Sequence, residues 1–241
     1  MDTIKIRKGR TKLIAHRGVS GLELENTCAA FIAAGNRSYF GIETDVRVTA
    51  DGKFILIHDS VTKRVGTENR TVEESAFADL RNIRLKQKDG TVRCDLWLAS
   101  LEEYLTICRR YEKTAVLELK PAMDRETVRE IVALCSEICG LEHMVFIGYD
   151  MQNLLHVRNC APQAKIQLLL KTPLTQEHIC FMETNGIDLD AHHAILSEEW
   201  IKELHAKGIL VNCWTIDDPA RAEELISWGV DQLTTNILEN T

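Results

Sequence analysis

The stretch Gly41-Ile42-Glu43-Thr44-Asp45-Val46-Arg47-Val48-Thr49, followed by Ala50-Asp51-Gly52 and then Lys53-Phe54-Ile55-Leu56-Ile57-His58, decides how the rest of the chain is read. Both runs have the apolar, β-branched character of strands. An Asp-Gly pair between two such runs is a strong hairpin signal. Lys53–Ile57 therefore folds back antiparallel on Gly41–Thr49 and is not a separate member of a parallel series. With a two-residue turn at Asp51-Gly52, Ala50 faces Lys53, Thr49 faces Phe54, Val46 faces Ile57 and Asp45 faces His58. A bulge would shift that register by one residue.

Once the hairpin is set aside, the remaining strand candidates number eight: Lys12–Ala15, Gly41–Thr49, Ala115–Lys120, Met144–Gly148, Lys165–Leu170, Ile187–Asp190, Ile209–Thr215 and Asp231–Thr235. Helical segments separate them and mark their own ends. Ser100 with Glu103 has the form of a capping box. Asp124, Asp150, Thr175 and Ser197 are placed to cap helices that close near Gly140, Pro162, Gly186 and Gly208. Asp218-Pro219 opens a last helix that Gly229 ends. Such alternation implies a parallel sheet with helices outside it. Eight repeats fit a (β/α)8 TIM barrel, for which roughly 250 residues is usual, and the chain has 241. An open doubly wound sheet is the alternative. No linker divides the chain, so residues 1–241 are expected to form a single domain. The polar stretch 61–93 is read as an insertion after the second strand.

Hydrophobic content of 45% and charged content of 27% are ordinary for a globular protein. A net charge of −7 argues against a general nucleic-acid binder, which needs cations to displace counterions. The eight cysteines form no CxxC pair and sit mostly in apolar runs, as reduced, buried thiols do. Met1–Lys8 lacks the apolar core of a signal peptide, and no run reaches membrane-spanning length. The expectation is a cytoplasmic protein without stable membrane insertion, with a homo-oligomer as one possible state.

Polar residues recur where buried strands should be apolar. His16 and Arg17 follow the first strand, Glu43 and Asp45 share one face of the second, and Glu118 and Lys120 share one face of the third. In a parallel barrel, functional groups gather at these C-terminal strand ends. Several unpaired carboxylates there would be costly, and a divalent cation resolves that cost. An all-oxygen set suits Mg²⁺ or Ca²⁺ better than zinc. The histidines fit either metal binding or proton transfer near neutral pH. Arg17 and Lys120 supply charge for an anionic substrate. Each acid alone reads equally well as a solvated strand residue; it is the repetition on three successive strands that favours a site.

At these residues the sequence resembles the glycerophosphodiester phosphodiesterase family. The matching run is Ala15-His16-Arg17-Gly18, then Glu25-Asn26-Thr27 with Ala30-Phe31, Glu43-Thr44-Asp45-Val46, Thr49-Ala50-Asp51-Gly52 and His58-Asp59. Further on come Leu101-Glu102-Glu103, Glu118-Leu119-Lys120, Trp214-Thr215 and Gly229-Val230-Asp231. The resemblance implies a TIM-barrel enzyme that hydrolyses glycerophosphodiesters to sn-glycerol 3-phosphate and an alcohol. By motif, Glu43, Asp45 and Glu118 would hold one divalent cation, and His16 and His58 would be the general acid–base pair. Arg17 and Lys120 would bind phosphate, Trp214 would line the glycerol pocket, and Asn26 would support the site. Read without the resemblance, Asn26 is a helix N-cap and Trp214 a core aromatic. Three positions depart from the family pattern: Leu24 where proline is common, Ala99-Ser100 in place of Pro-Thr, and Asn236 in place of an acid.

The nucleophile could be water, or the glycerol 2-hydroxyl through a cyclic phosphate. A phospholipase of C or D type is the close rival, and it would need an exposed apolar rim at the strand ends. A catalytically silent barrel and an unrelated sugar-phosphate enzyme are the more distant alternatives.

Overall fold

The computed structural model describes residues 2–87 and 89–241. Eight parallel strands close into a barrel: β1 (Lys12–Ala15), β2 (Gly41–Val48), β3 (Thr114–Leu119), β4 (Met144–Gly148), β5 (Lys165–Leu170), β6 (Asp188–His192), β7 (Val211–Trp214) and β8 (Gln232–Thr235). The ring shuts where β8 pairs with β1, Thr235 beside Ala15, and β1 pairs with β2, Ala15 beside Ile42. Alternate residues serve the two faces. Leu13, Ile42, Leu117, Phe146 and Leu189 join the layer between strands and helices, whereas Ile14, Val116, Val145, Ile147 and Leu169 fill the barrel interior.

The capping residues read from the sequence do cap. The side chains of Ser100, Asp124, Asp150, Thr175, Ser197 and Asp218 each accept a backbone N–H in the first turn of the following helix. Ser100 and Glu103 complete the reciprocal box. Asn26 is not a cap: Thr27 takes that place ahead of the helix Cys28–Gly35. Tyr104, on the helix Leu101–Arg110, packs edge-on against Phe31 with centroids 5.0 Å apart. Its buried hydroxyl donates to the Ile42 carbonyl at 2.7 Å, with the Val116 carbonyl 3.2 Å away. That bond fixes β2 against β3 directly beneath Glu43.

The hairpin is antiparallel, as expected, but its register is one residue off the two-residue-turn reading. Val46 faces Leu56, Arg47 faces Ile55 and Val48 faces Phe54. The cause lies in the turn. Gly52 takes a left-handed conformation (φ +71°), and Thr49 pairs with Lys53 around a three-residue loop. Asp51 secures the loop by accepting from the Thr49 hydroxyl at 2.6 Å and from the Phe77 N–H at 2.9 Å. Asp45 consequently faces Ile57, whose N–H donates to its carbonyl at 3.1 Å. His58 lies beyond the returning strand Phe54–Leu56, held by its own carbonyl, which accepts two bonds from Arg47 at 3.1 and 2.8 Å.

The insertion builds a small core of its own. Ile55 and Ile57 on the hairpin pack with Val65, Val72, Leu80, Ile83, Leu85, Leu96 and Leu98. It carries a short helix, Phe77–Arg81, and a two-residue ribbon pairing Leu85–Lys86 with Val92–Arg93. Most of its apolar residues stand singly among polar ones, so the sequence there shows no strand or helix period. No described helix is long and apolar enough to cross a membrane.

One pairing went unread in the sequence. Ile4–Ile6 runs parallel to Leu238–Asn240. The carboxylate of Glu239 stitches this seam, accepting from Lys5 Nζ at 2.6 Å, from Ser38 N at 2.9 Å and from the Thr3 hydroxyl. Burial opposes its ionisation, but these donors lower its pKa to about 2. A depressed carboxylate stabilises the fold above its unfolded value, and that contribution is lost as pH falls towards the folded one. Glu239→Gln is therefore expected to cost about 1–3 kcal/mol in urea unfolding at neutral pH. The gap from wild type should narrow as pH drops below about 4.5. A gap that stays constant with pH would contradict the clamp.

Candidate active site

The three acids read from the sequence meet at the C-terminal mouth. Glu43 and Asp45 project inward from β2, and the parallel register sets Asp45 directly beside Glu118 on β3. One carboxylate oxygen from each lies within 4.8 Å of the others, and all three residues are buried. Lys120 Nζ sits 3.0 Å from Asp45 Oδ1 and 3.2 Å from Glu118 Oε1. Arg17 Nε lies 3.4 Å from Asp45 Oδ2. Asn26 donates to Asp45 Oδ2 at 2.8 Å and accepts from the Thr44 hydroxyl at 2.8 Å.

The loop after β1 is shaped for this purpose. Arg17 and Asn26 adopt positive φ values of 54° and 55°, which non-glycine residues rarely hold. The Arg17 N–H donates to Glu43 Oε2 at 2.8 Å and the Gly18 N–H donates to the Glu43 carbonyl at 3.2 Å. Gly18 is required twice over. It has a φ of +74°, and a Cβ there would come within 2.6 Å of the Ala30 backbone.

The acids do not share their charge evenly. Burial pushes Glu43 well above the usual carboxylate range, and the Asp45 charge adds to the push. Burial and then Asp45 raise Glu118 to about 8. Asp45 goes the other way: burial opposes its charge, but Lys120 and Arg17 hold it below the usual range. Asp45 Oδ1 is buried without an aligned hydrogen bond, despite the nearby Lys120. Three crowded oxygen donors, two of them driven towards protonation and one with an orphaned oxygen, fit a hard divalent cation.

Both histidines border the same small cavity of about 60 Å³, with Arg17, Glu43, Glu118, Lys120 and Trp214. His16 Nδ1 lies 2.8 Å from Asn236 Oδ1, and its Nε2 is 3.9 Å from Glu43. The Asn236 amide is oriented by Asp217, which accepts from its Nδ2 at 2.6 Å and from its backbone N–H at 2.8 Å. The oxygen facing His16 is thus an acceptor only, so Nδ1 carries the proton and Nε2 is bare. Burial, then the neighbouring Arg17 charge, lowers His16 to about 4. His58 Nδ1 faces Asp59 Oδ1 at 2.7 Å, and burial holds its pKa below the ordinary histidine value. Arg64 from the insertion binds both Asp59 at 2.7 Å and Glu25 at 2.6 Å, and Glu25 in turn binds Arg17 at 2.9 Å.

Trp214 is half-buried at the pocket wall, packed against the residues that fill the barrel interior. Its Nε1 donates to the Asp190 carbonyl at 3.2 Å, and its ring meets Tyr149 and His192 edge-on at 6.3 and 5.1 Å. Sequence reading missed Tyr149, Asp190, Asp217, and the Glu25–Arg64–Asp59 chain. Asp190 had a signal, since a lone acid between Leu189 and Ala191 in a strand is as anomalous as Glu118. The others are placed by loops that have no periodicity.

In ¹⁵N NMR at neutral pH, His16 is expected to be the neutral Nδ1–H tautomer and to stay neutral down to about pH 4. An Nε2–H tautomer would contradict the Asp217–Asn236 brace.

Similarity to known proteins extends along nearly the whole chain. Residues 16–239 match the model of the glycerophosphoryl diester phosphodiesterase family. A glycerophosphodiester phosphodiesterase of Caldanaerobacter subterraneus subsp. tengcongensis is 25% identical, the match covering 94% of each chain. In structure, the chain resembles an Oleispira antarctica phosphodiesterase solved in complex with the product sn-glycerol-3-phosphate, with a TM-score of 0.81 at 22% identity over 93% of this chain and 92% of that one. A glycerophosphoryl diester phosphodiesterase homologue from Silicibacter pomeroyi superposes with a TM-score of 0.85 at 22% identity, covering 94% and 90%. With a family match spanning nearly its whole length, the chain belongs to the glycerophosphoryl diester phosphodiesterase family.

Proposed function

We propose that this chain, working as one domain, hydrolyses glycerophosphodiesters to sn-glycerol 3-phosphate and an alcohol, with a divalent cation and a histidine pair. The observation that carries the reading is the convergence of His16, His58, Glu43 and Glu118 on one pocket that also holds Arg17 and Lys120, with Asp45 buried in the same carboxylate cluster. Glu43, Asp45 and Glu118 would hold the cation, Mg²⁺ or Ca²⁺. When bound, it supplies positive charge against the phosphoryl oxygens.

The protein's own groups account for the remaining steps. Arg17 and Lys120 bind the diester anion and offset charge that builds on its oxygens. His16, neutral and bare at Nε2, is the better placed to take the proton of the attacking oxygen. His58, oriented by Asp59, then serves the departing alkoxide. Trp214 and Tyr149 wall the glycerol side. A larger cleft of about 760 Å³ opens beside His16, between Leu22, Leu24, Arg64 and Val65, and gives the alcohol portion room.

A phospholipid substrate finds less support. Of the large apolar side chains exposed among the described residues, only Tyr149 lines the small pocket. The expected acyl-binding rim is not built from them.

Two experiments test the reading. His16→Ala and His58→Ala are each expected to lower kcat on glycerophosphocholine by about 10²–10⁴-fold with melting unchanged; near-normal turnover in either would remove that histidine from the mechanism. Exhaustive chelation should abolish hydrolysis, and Mg²⁺ or Ca²⁺ should restore it. Full activity after EDTA would rule out the cation.

A further inference from the structure

A further acid, Asp190, borders the same pocket as Glu43 and Glu118. Asp190 lies on β6 between Leu189 and Ala191, which face the helices, so its own side chain points into the barrel. It is 2% exposed. Its lateral neighbours are Leu169 on β5 and Asn212 on β7. The interior polar residues around it largely satisfy one another: Gln167 donates to Gln232 at 3.3 Å, and Asn212 donates to the Thr234 hydroxyl at 3.2 Å. Asp190 makes no ion pair among the described residues, and its Oδ1, like the Gln167 Oε1, is buried without a hydrogen-bond partner; unlike Gln167, Asp190 lines the 60 Å³ cavity.

The walls beside it are apolar and aromatic: Ile147, Leu169, Tyr149 and Trp214. Trp214 donates to the Asp190 backbone carbonyl, which fixes the strand at this point. A buried carboxyl with an unpaired oxygen, on a residue that lines a cavity, is placed for a partner that arrives with a ligand. Burial raises the carboxyl to about 8, so it is mostly protonated at neutral pH and presents one donor and one acceptor. A hydroxyl offers the same two functions in return. The Ile147, Leu169 and Trp214 surfaces suit the C–H groups that flank such a hydroxyl. Arg17 and Lys120, on the opposite side, fit the phosphate.

We propose that Asp190 is the specificity residue for the glycerol group, hydrogen-bonding one of its hydroxyls and so setting a preference for glycerophosphodiesters over diesters without that hydroxyl. This inference rests on the activity proposed above and names the residue that would read the substrate.

The test compares wild type, Asp190→Asn and Asp190→Leu on glycerophosphocholine and on bis(4-nitrophenyl) phosphate, which lacks a glycerol group. The ratio of the two kcat/KM values is expected to fall about 10–100-fold in Asp190→Leu, because a site built around a substrate hydroxyl discriminates strongly by it. Asp190→Asn should fall less, since an amide keeps a donor and an acceptor. A ratio that does not move in either variant overturns the proposal. Should the variants fail to fold, wild type answers alone. Propyl phosphate, which lacks both hydroxyls, should inhibit at least about tenfold more weakly than sn-glycerol 3-phosphate, and equal inhibition overturns the proposal. Wild type that cleaves bis(4-nitrophenyl) phosphate and not glycerophosphocholine would instead sink the activity reading itself.

Discussion

Three carboxylates held within 4.8 Å of one another, out of water, are the constraint on which the rest of the site depends. Buried like charges repel strongly and lose their hydration. The surrounding structure is arranged around that cost. Lys120 reaches two of the acids, Arg17 a third contact, and Asn26 supplies a neutral donor. The left-handed backbone at Arg17 and Asn26 and the close approach at Gly18 exist so that a short loop can bring these donors in. These devices offset the burden only in part, because Glu43 and Glu118 are still driven towards protonation. A cation would complete what the side chains leave undone.

The two histidines are tied to this centre from opposite sides. His16 is braced from the end of the chain through Asn236 and Asp217. His58 is braced from the insertion through Asp59 and Arg64, and Arg64 continues through Glu25 to Arg17. His58 and the cationic side chains Arg64 and Arg17 therefore share one network. The insertion belongs to that network through Arg64, so it shapes the site as well as covering hydrophobic surface. Asn236 links the His16 imidazole to the Asp217 carboxylate, so the negative charge on this side lies one residue beyond the imidazole's own partner.

How much of this was legible in the sequence follows from what each element depends on. Barrel strands and helix caps are local: β-branched runs and Ser, Thr or Asp before a helical period carry their own explanation, as at Ser100–Glu103 and Asp218–Pro219. Glu43, Asp45 and Glu118 were legible because an acid inside a buried strand violates the pattern around it. The hairpin was legible and its register was not, since Asp51-Gly52 fits both a two-residue turn and the three-residue loop closed by Thr49 and Lys53. The Ile4–Ile6 pairing with Leu238–Asn240 joins the two ends of the chain, and no local signal announces a contact of that range. The insertion's core escaped for the same reason: it forms only after Ile55 and Ile57 on the hairpin meet Leu96 and Leu98.

The central claim is that Glu43, Asp45 and Glu118 share one divalent cation. Calorimetric titration of the metal-stripped protein with Mg²⁺ and with Ca²⁺ tests it most directly, with Asp45→Asn as the control, because Asp45 carries the charge that both Lys120 and Arg17 sustain. The account predicts saturable binding of at least one of the two ions to a single site in wild type, lost or greatly weakened in Asp45→Asn. Absence of binding by either ion, or equal binding in the variant, would contradict it.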